Sequence, residues 1–228
     1  MQKGNDSLPP TRQAIRSVIF DCDGVMFDSR QANTHFYNHL LDHFGLPPMT
    51  EAQEVFVHMH TADDSVRRIF EGTPHTEAAQ EYRMNLDYTP FIHDMVMEPG
   101  LKDLLSDLKR TMRLAVATNR SNTLTTVLEV FELKDYFDMV VSSLDVTRPK
   151  PHPESIHKIL SFFNIKPTQA VYVGDSPVDL ETAQASGVHF VAYRNPELNT
   201  RLHAKTMGVL GHVVASFDGK GKDPSWKS

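Results

Sequence analysis

Four short stretches of this chain carry residues able to do chemistry. "DCDG" holds Asp21 and Asp23, "ATNRSN" holds Thr118 and Asn119, "TRPKPHPE" holds Lys150, and "GDSPVD" holds Asp175 and Asp179. A carboxylate is an anion at neutral pH. It can act as a nucleophile, carry a proton, or bind a hard cation through oxygen. Asp21 and Asp23 follow three apolar residues, Val18, Ile19 and Phe20. In extended chain, residues two apart point the same way, about 6–7 Å from each other. Two acids so placed repel, and something positive must hold them there.

The elements that must position these residues can be read from apolar patterning. Short β-branched or apolar runs recur at 17–20, 114–118, 139–142, 170–174, 189–193 and 212–217, and each reads as a strand. Between them, Leu101, Leu104, Leu105 and Leu108 repeat at i, i+3, i+4, i+7. Leu124, Val127, Leu128 and Phe131 do the same, as do Ile156, Ile159, Leu160 and Phe163. Strands alternating with helices predict an α/β fold, a Rossmann-like parallel sheet with helices on both faces. The interval 30–96 breaks the alternation and contains no convincing strand. Tyr37, Leu40, Leu41 and Phe44 mark one helix there, "ADDSVRRIFEG" a second, and "TEAAQEYRMNLDY" a third with a weak apolar stripe. The expected organisation is a discontinuous core over 15–29 and 97–217, a helical cap over 30–96, and mobile tails at 1–14 and 218–228. In open α/β sheets, ligands bind beyond the carboxyl ends of the strands. Each polar set follows a predicted strand, so a parallel sheet would bring all four sets to one edge.

The order DxDG, T-N, K-P, GDxxxD, with a helical insertion after the first set, resembles the haloacid dehalogenase superfamily. More narrowly it is similar to its phosphoglycolate phosphatase and β-phosphoglucomutase branch. The resemblance runs from about 15 to 217 and implies a Mg²⁺-dependent phosphatase acting on a small phosphorylated metabolite. It implies that Asp21 attacks phosphorus and becomes an aspartyl phosphate, and that Asp23 is the general acid and base. An acid must hold its proton near neutral pH, so a raised Asp23 pKa is expected from neighbouring carboxylates and partial burial. The implied metal site is Asp21, the Asp23 backbone carbonyl and Asp175, with Asp179 beside them, reached through water or a hydrogen bond to Lys150. Lys150, the Thr118 hydroxyl and the Asn119 backbone N–H would hold the phosphoryl oxygens. Arg120 and Arg148 lie outside the motif and are given no role. In similar proteins a turn between cap helices faces the pocket. Here that turn is "VHMHTADDS", which makes His58, His60 and Thr61 candidate substrate contacts.

Bland readings stand beside these. Ser176-Pro177-Val178-Asp179 is a good helix start by itself, and Asp179 can cap and serve the site together. Cys22 faces away from the aspartates by pleat alternation and reads as core. His35, His39 and His43 form an i, i+4, i+8 row that reads as a solvated face, because no acid or thiol set completes a metal site. A phosphomutase shares all four motifs and is the alternative within enzymes. A non-catalytic phosphate-binding module is the alternative outside them. The 228 residues carry a net charge of −6 with no basic run, which argues against nucleic acid. No apolar stretch of about 18 residues argues for a membrane span. One cysteine excludes an internal disulfide. A cytoplasmic monomer or homodimer is expected.

Overall fold

The strand β1, Ser17–Phe20, is buried along its whole length because the sheet around it is covered on both faces. It pairs in parallel with β4, Arg113–Ala117, on one side and with β6, Ala170–Gly174, on the other. Outside these lie β5, Met139–Val141, next to β4, then β7, His189–Tyr193, and β8, His203–Ala204, next to β6. The six-stranded order is β5-β4-β1-β6-β7-β8. The chain reverses its direction of winding about β1, so β1 ends at the switch point where open α/β sheets bind ligands. This is a computed structural model that describes residues 14–217. The expected tails lie outside the described residues, Ala14 apart.

Side-chain alternation divides the core. Val18, Phe20, Leu114, Val116, Val171 and Val173 belong to one cluster. Ile19, Ala115, Ala117 and Tyr172 belong to the other. The first face is covered by helices α6, Leu101–Lys109, and α7, Leu124–Val130. The second is covered by α8, Glu154–Phe163, and α9, Pro177–Ser186. Cys22 is fully buried in the first cluster, as alternation requires.

The chain leaves the sheet through β2, Phe27–Asp28, and returns through β3, Val96–Met97; the two pair antiparallel. Between them run five helices: α1, Arg30–His43; α2, Glu51–Met59; α3, Ala62–Ile69; α4, Thr76–Asn85; and α5, Thr89–Ile92. The sequence patterns locate α1, α3 and α4. They miss α2, which has one buried residue, Val57, and hence no stripe. They also miss the one-turn α5. The weak stripe of α4 has a specific cause, since its buried positions are Ala79 and Arg83.

The strand expected over 212–217 is a helix. It is the second half of α10, Met207–Phe217, which buries Met207, Leu210, Gly211 and Val214 at i, i+3, i+4, i+7. The β-branched pair Val213-Val214 imitates a strand locally, but α10 packs against α6 and β8, and burial of one helical face overrides residue preference. The sixth strand is β8, only two residues long. Among the described residues, no helix is long and apolar enough to cross a membrane.

Leu210 is fully buried on the inward face of α10. Leu210→Ala is expected to destabilise the fold by about 2–5 kcal/mol in urea titrations. A loss under about 0.5 kcal/mol would mean that α10 does not close this face of the core.

Candidate active site

Asp21 is the first residue past β1, and its N–H still donates to the Val173 carbonyl (2.9 Å), so the sheet fixes its position. Thr118 follows β4 in the same way, donating to the Val141 carbonyl (3.1 Å). Asp175 follows β6. Gly24 permits the close approach of these turns. Its φ is +80°, and a Cβ there would lie 2.0 Å from Asp175 Oδ2, where no side chain fits.

Lys150 is buried, and its Nζ lies 2.8 Å from Asp21 Oδ1 and 2.7 Å from Asp179 Oδ1. Its backbone is clamped by the Asn119 side chain, whose Oδ1 accepts from the Lys150 N–H (3.0 Å) while its Nδ2 donates to the Lys150 carbonyl (3.1 Å). Asn119 therefore spends its side chain on orienting the lysine. Tyr172, from the centre of β6, accepts from Lys150 Nζ (2.9 Å) and donates to Asp179 Oδ1 (2.6 Å). Asp179 caps a helix and also holds the lysine. Its Oδ2 takes the Ser176 hydroxyl (2.6 Å) and the N–H groups of Asp175 and Ser176, closing a capping box at the start of α9. Its Oδ1 holds Lys150 and Tyr172. Both oxygens are saturated with donors.

Asp23 departs from expectation. Arg120 reaches it bidentately, Nε to Oδ2 at 3.1 Å and Nη2 to Oδ1 at 2.6 Å. The guanidinium is 4% exposed, also donates to Thr123 Oγ1 (3.0 Å), and sits 5.1 Å from the centroid of the Tyr88 ring. Burial pushes the Asp23 carboxyl up, but the Arg120 charge and hydrogen bonds outweigh it, and the net shift is below the ordinary 3.8. The expected raised pKa is thus reversed, by a residue given no role from sequence. Arg148, its companion in that reading, is exposed and does not line the cavity that these groups share.

The charges do not balance. Asp21, Asp23, Asp175 and Asp179 face two cations, Lys150 and Arg120. Lys150 stays charged although burial opposes it, because Asp179 and Asp21 outweigh burial. Burial likewise pushes Asp179 up, but Lys150 wins and holds it below the ordinary value. The excess falls on the other two. Burial and then the charge of Asp179 raise Asp21 to about 7 and Asp175 to about 8.

This arrangement fits a divalent metal ion. Asp21 Oδ1 is buried with no hydrogen-bond donor aligned on it. One oxygen each of Asp21, Asp175 and Asp179 lie within 4.8 Å of one another. Hard divalent cations take such oxygens, and the two excess negative charges equal the charge of one ion. Asp179 has both oxygens taken by donors, whereas Asp21 shares only the Lys150 ammonium, which leaves Asp21 and Asp175 the members of the set open to a cation. The histidine row is different. His35 meets Asp94 (2.7 Å), His39 bonds the Tyr82 hydroxyl (3.1 Å), and His43 stacks on the Tyr82 ring (3.8 Å).

A cavity separates the strand ends from the helices. Asp21, Asp23, Thr118, Arg120 and Lys150 line it from the sheet, and Tyr37, His58, His60, Arg83 and Tyr88 line it from the helical side. His58 and His60 therefore reach the cavity. Burial keeps His58 below the ordinary 6.5, and His60 stacks on Phe56 (3.8 Å). Thr61 does not line the cavity. It caps α3, with Oγ1 accepting from the Asp64 N–H (3.1 Å). Sequence reading missed four residues of this region: Arg120, Tyr172, Arg83 and Tyr88. Arg120 directly follows Thr118-Asn119, and Tyr172 carries the one polar atom among the side chains of "AVYVG"; both signals were there. Nothing in sequence singles out Arg83 or Tyr88.

Comparison with known proteins agrees with this geometry. Residues 18–193 match the family model described as haloacid dehalogenase-like hydrolase. A phosphoglycolate phosphatase of Chromobacterium violaceum is 29% identical over 78% of this chain and 84% of its own. A pyrophosphatase PpaX of Bacillus pumilus is 27% identical over 76% and 80%. A crystal structure of a HAD-superfamily hydrolase, subfamily IA, variant 1, from Geobacter sulfurreducens superposes with a TM-score of 0.75 at 39% identity. It covers 85% of this chain and 96% of that one.

Asp21 and Asp175 titrate near 7 and 8 when folded and near 3.8 otherwise. Between about pH 3.8 and 8 these two groups bind more protons in the folded metal-free protein than in the unfolded chain. Their contribution to stability is fully present only below about pH 3.8, is partly lost by pH 6.5, and is gone once the pH has risen through 8. Melting temperatures in chelator should fall from about pH 6.5 to 8.5. Asp175→Asn should flatten the upper part, and a divalent cation should raise the melting temperature more at the alkaline end. A flat profile in chelator would remove the case for crowded carboxylates.

Proposed function

The chain belongs to the haloacid dehalogenase-like hydrolases, and from that premise we propose that it is a Mg²⁺-dependent phosphatase of a small phosphomonoester. The reaction passes through an aspartyl phosphate on Asp21. One observation carries this reading: a buried carboxylate oxygen at the switch point of the sheet has no donor aligned on it and lies 2.8 Å from a buried lysine. Asp21 has two carboxylate oxygens, so one can meet a phosphorus atom while the other meets a cation, and the neighbouring lysine attracts the phosphoryl group.

Asp21 attacks phosphorus and the bond to the ester oxygen breaks. Asp23 gives its proton to the departing alkoxide. It then takes a proton from the water that attacks the acyl phosphate, and the phosphorus–Asp21 bond breaks to release inorganic phosphate. Lys150 and the Thr118 hydroxyl bind the non-bridging oxygens, where negative charge must be stabilised throughout. Asp179, Tyr172 and Asn119 position Lys150. Asp21, the Asp23 carbonyl and Asp175 would hold the Mg²⁺, which when bound offsets the carboxylate charge and polarises the phosphoryl oxygens. Asp23 is ionised while Arg120 holds it, so it acquires a proton only when the guanidinium is drawn away. An arriving phosphoryl oxygen is the group able to do that. The segment 30–96 acts as a cap that excludes water and selects the leaving group.

Phosphate release from a panel of small phosphomonoesters tests the reading. Release should require Mg²⁺, stop in chelator, and fall by at least about 10³-fold in Asp21→Asn. Isomerised sugar phosphate without phosphate release would assign a phosphomutase instead. Unchanged release in Asp21→Asn would exclude the aspartyl phosphate.

Arg120→Met tests the state of Asp23. Without the guanidinium, the largest opposition to burial at this carboxyl is gone and its pKa rises. The alkaline limb of the pH–rate profile, where the acid loses its proton, should then move to higher pH. A limb that stays in place would separate Asp23 from the proton transfer.

A further inference from the structure

Arg83 is 7% exposed and lines the cavity from α4, yet no carboxylate among the described residues pairs with it. Its Nε and Nη2 both donate to one neutral oxygen, Gln80 Oε1, at 3.0 and 2.9 Å. The charge of Asp63 reaches it, but that carboxylate is bound by Arg67 at 2.8 Å. Buried charges are ordinarily paired, because removing an ion from water is costly. The other two cations of the cavity obey this rule, Lys150 with Asp21 and Asp179, and Arg120 with Asp23. Arg83 is the exception. A second observation points the same way. The Tyr88 hydroxyl lines the same cavity, in a residue 6% exposed, and has no hydrogen-bond partner. A cation without a counter-ion and a hydroxyl with no partner of hydrogen-bond geometry thus line one cavity, both contributed by its helical wall.

We propose that the substrate carries a second anionic group besides the phosphoryl group that is cleaved, and that Arg83, together with the Tyr88 hydroxyl, binds it. This deepens the phosphatase reading and rests on it for the position of the first group. The second group is an oxyanion, a carboxylate or a second phosphate, either of which accepts N–H groups from a guanidinium. The arrangement makes Arg83 a specificity-determining residue. It acts on the leaving group and leaves the chemistry at Asp21 untouched. An ester lacking the second charge leaves Arg83 buried and uncompensated in the closed site, which disfavours it.

Matched pairs of phosphate compounds, three esters and one anhydride, test this. 2-Phosphoglycolate is set against 2-hydroxyethyl phosphate, and pyrophosphate against methyl phosphate, in wild type, Arg83→Gln, Arg83→Lys and Tyr88→Phe. Wild type should favour the charged member of one pair by roughly 10- to 100-fold in kcat/KM, and that pair distinguishes carboxylate from phosphate. Arg83→Gln should abolish the preference, mainly through KM, while the neutral member changes little. Arg83→Lys should retain part of the preference, and Tyr88→Phe should lose about 10-fold on the charged member. Equal losses on both members in Arg83→Gln would make the arginine merely structural and overturn the proposal, as would a wild type that prefers neither charged member. Calorimetric binding of the same four compounds to Asp21→Asn reads the preference without turnover. An Arg83-dependent preference there, with no hydrolysis by wild type, would uphold this inference and sink the phosphatase reading. Its absence would overturn the inference itself.

Discussion

Four carboxylates meet where β1 and β6 end, and their mutual repulsion in a buried place is the constraint to which the rest of the structure answers. A carboxylate without compensation in such a place costs several kcal/mol. Lys150 sits between Asp21 and Asp179 and Arg120 grips Asp23, each at contact distance, so two cations face four carboxylates. What is left over raises Asp21 and Asp175. The excess is what a divalent cation would neutralise here. An ion-pair network that already balanced itself would have no use for a divalent cation.

The compensating cations must themselves be held, and much of the local structure serves that end. Lys150 lies on a loop, where an unrestrained lysine would extend into water. The Asn119 side chain grips its backbone from both sides, and Tyr172 and Asp179 fix its ammonium. Asp179 in turn is fixed by Ser176 at the start of α9. It approaches so closely because Gly174 carries no side chain; a Cβ there would lie 2.3 Å from Asp179 Cβ. Helix capping and charge placement are therefore one device. Removing Lys150 would leave Asp21 and Asp179 buried and unpaired, at a cost of about 3–5 kcal/mol.

The helices between β2 and β3 complete the cavity with a different chemistry. They bring aromatic rings, two histidines and an arginine, with none of the acids that crowd the strand ends. The short β2–β3 ribbon joins the departing and returning chain at a single place. Charge is thus divided across the cavity. Acids and their partners sit on the sheet, and a cation without an acid sits on the helices.

Some of this was legible in sequence for a definite reason. Asp21, Thr118 and Asp175 directly follow apolar strands, and Lys150 follows a strand a little later. Strand position is coupled to ligand position in any parallel sheet, so chain order alone places them at one edge. Patterning found five of the six sheet strands because the buried strands are apolar throughout. It failed at 212–217, where two valines suggested a strand and packing against α6 and β8 made a helix. Types and spacing also fixed which residues are acids, nucleophile candidates and helix caps. Tertiary structure alone decided which charges meet. Arg120 stands 97 residues from Asp23, and no local pattern states that a guanidinium will take that carboxylate and lower its pKa. Arg83 weakens the stripe of α4, which reads in sequence as a poor helix and in the fold as a cation facing the cavity. Secondary structure follows from periodicity along the chain, whereas a pKa or an unpaired charge depends on groups brought together across it, which the fold alone supplies.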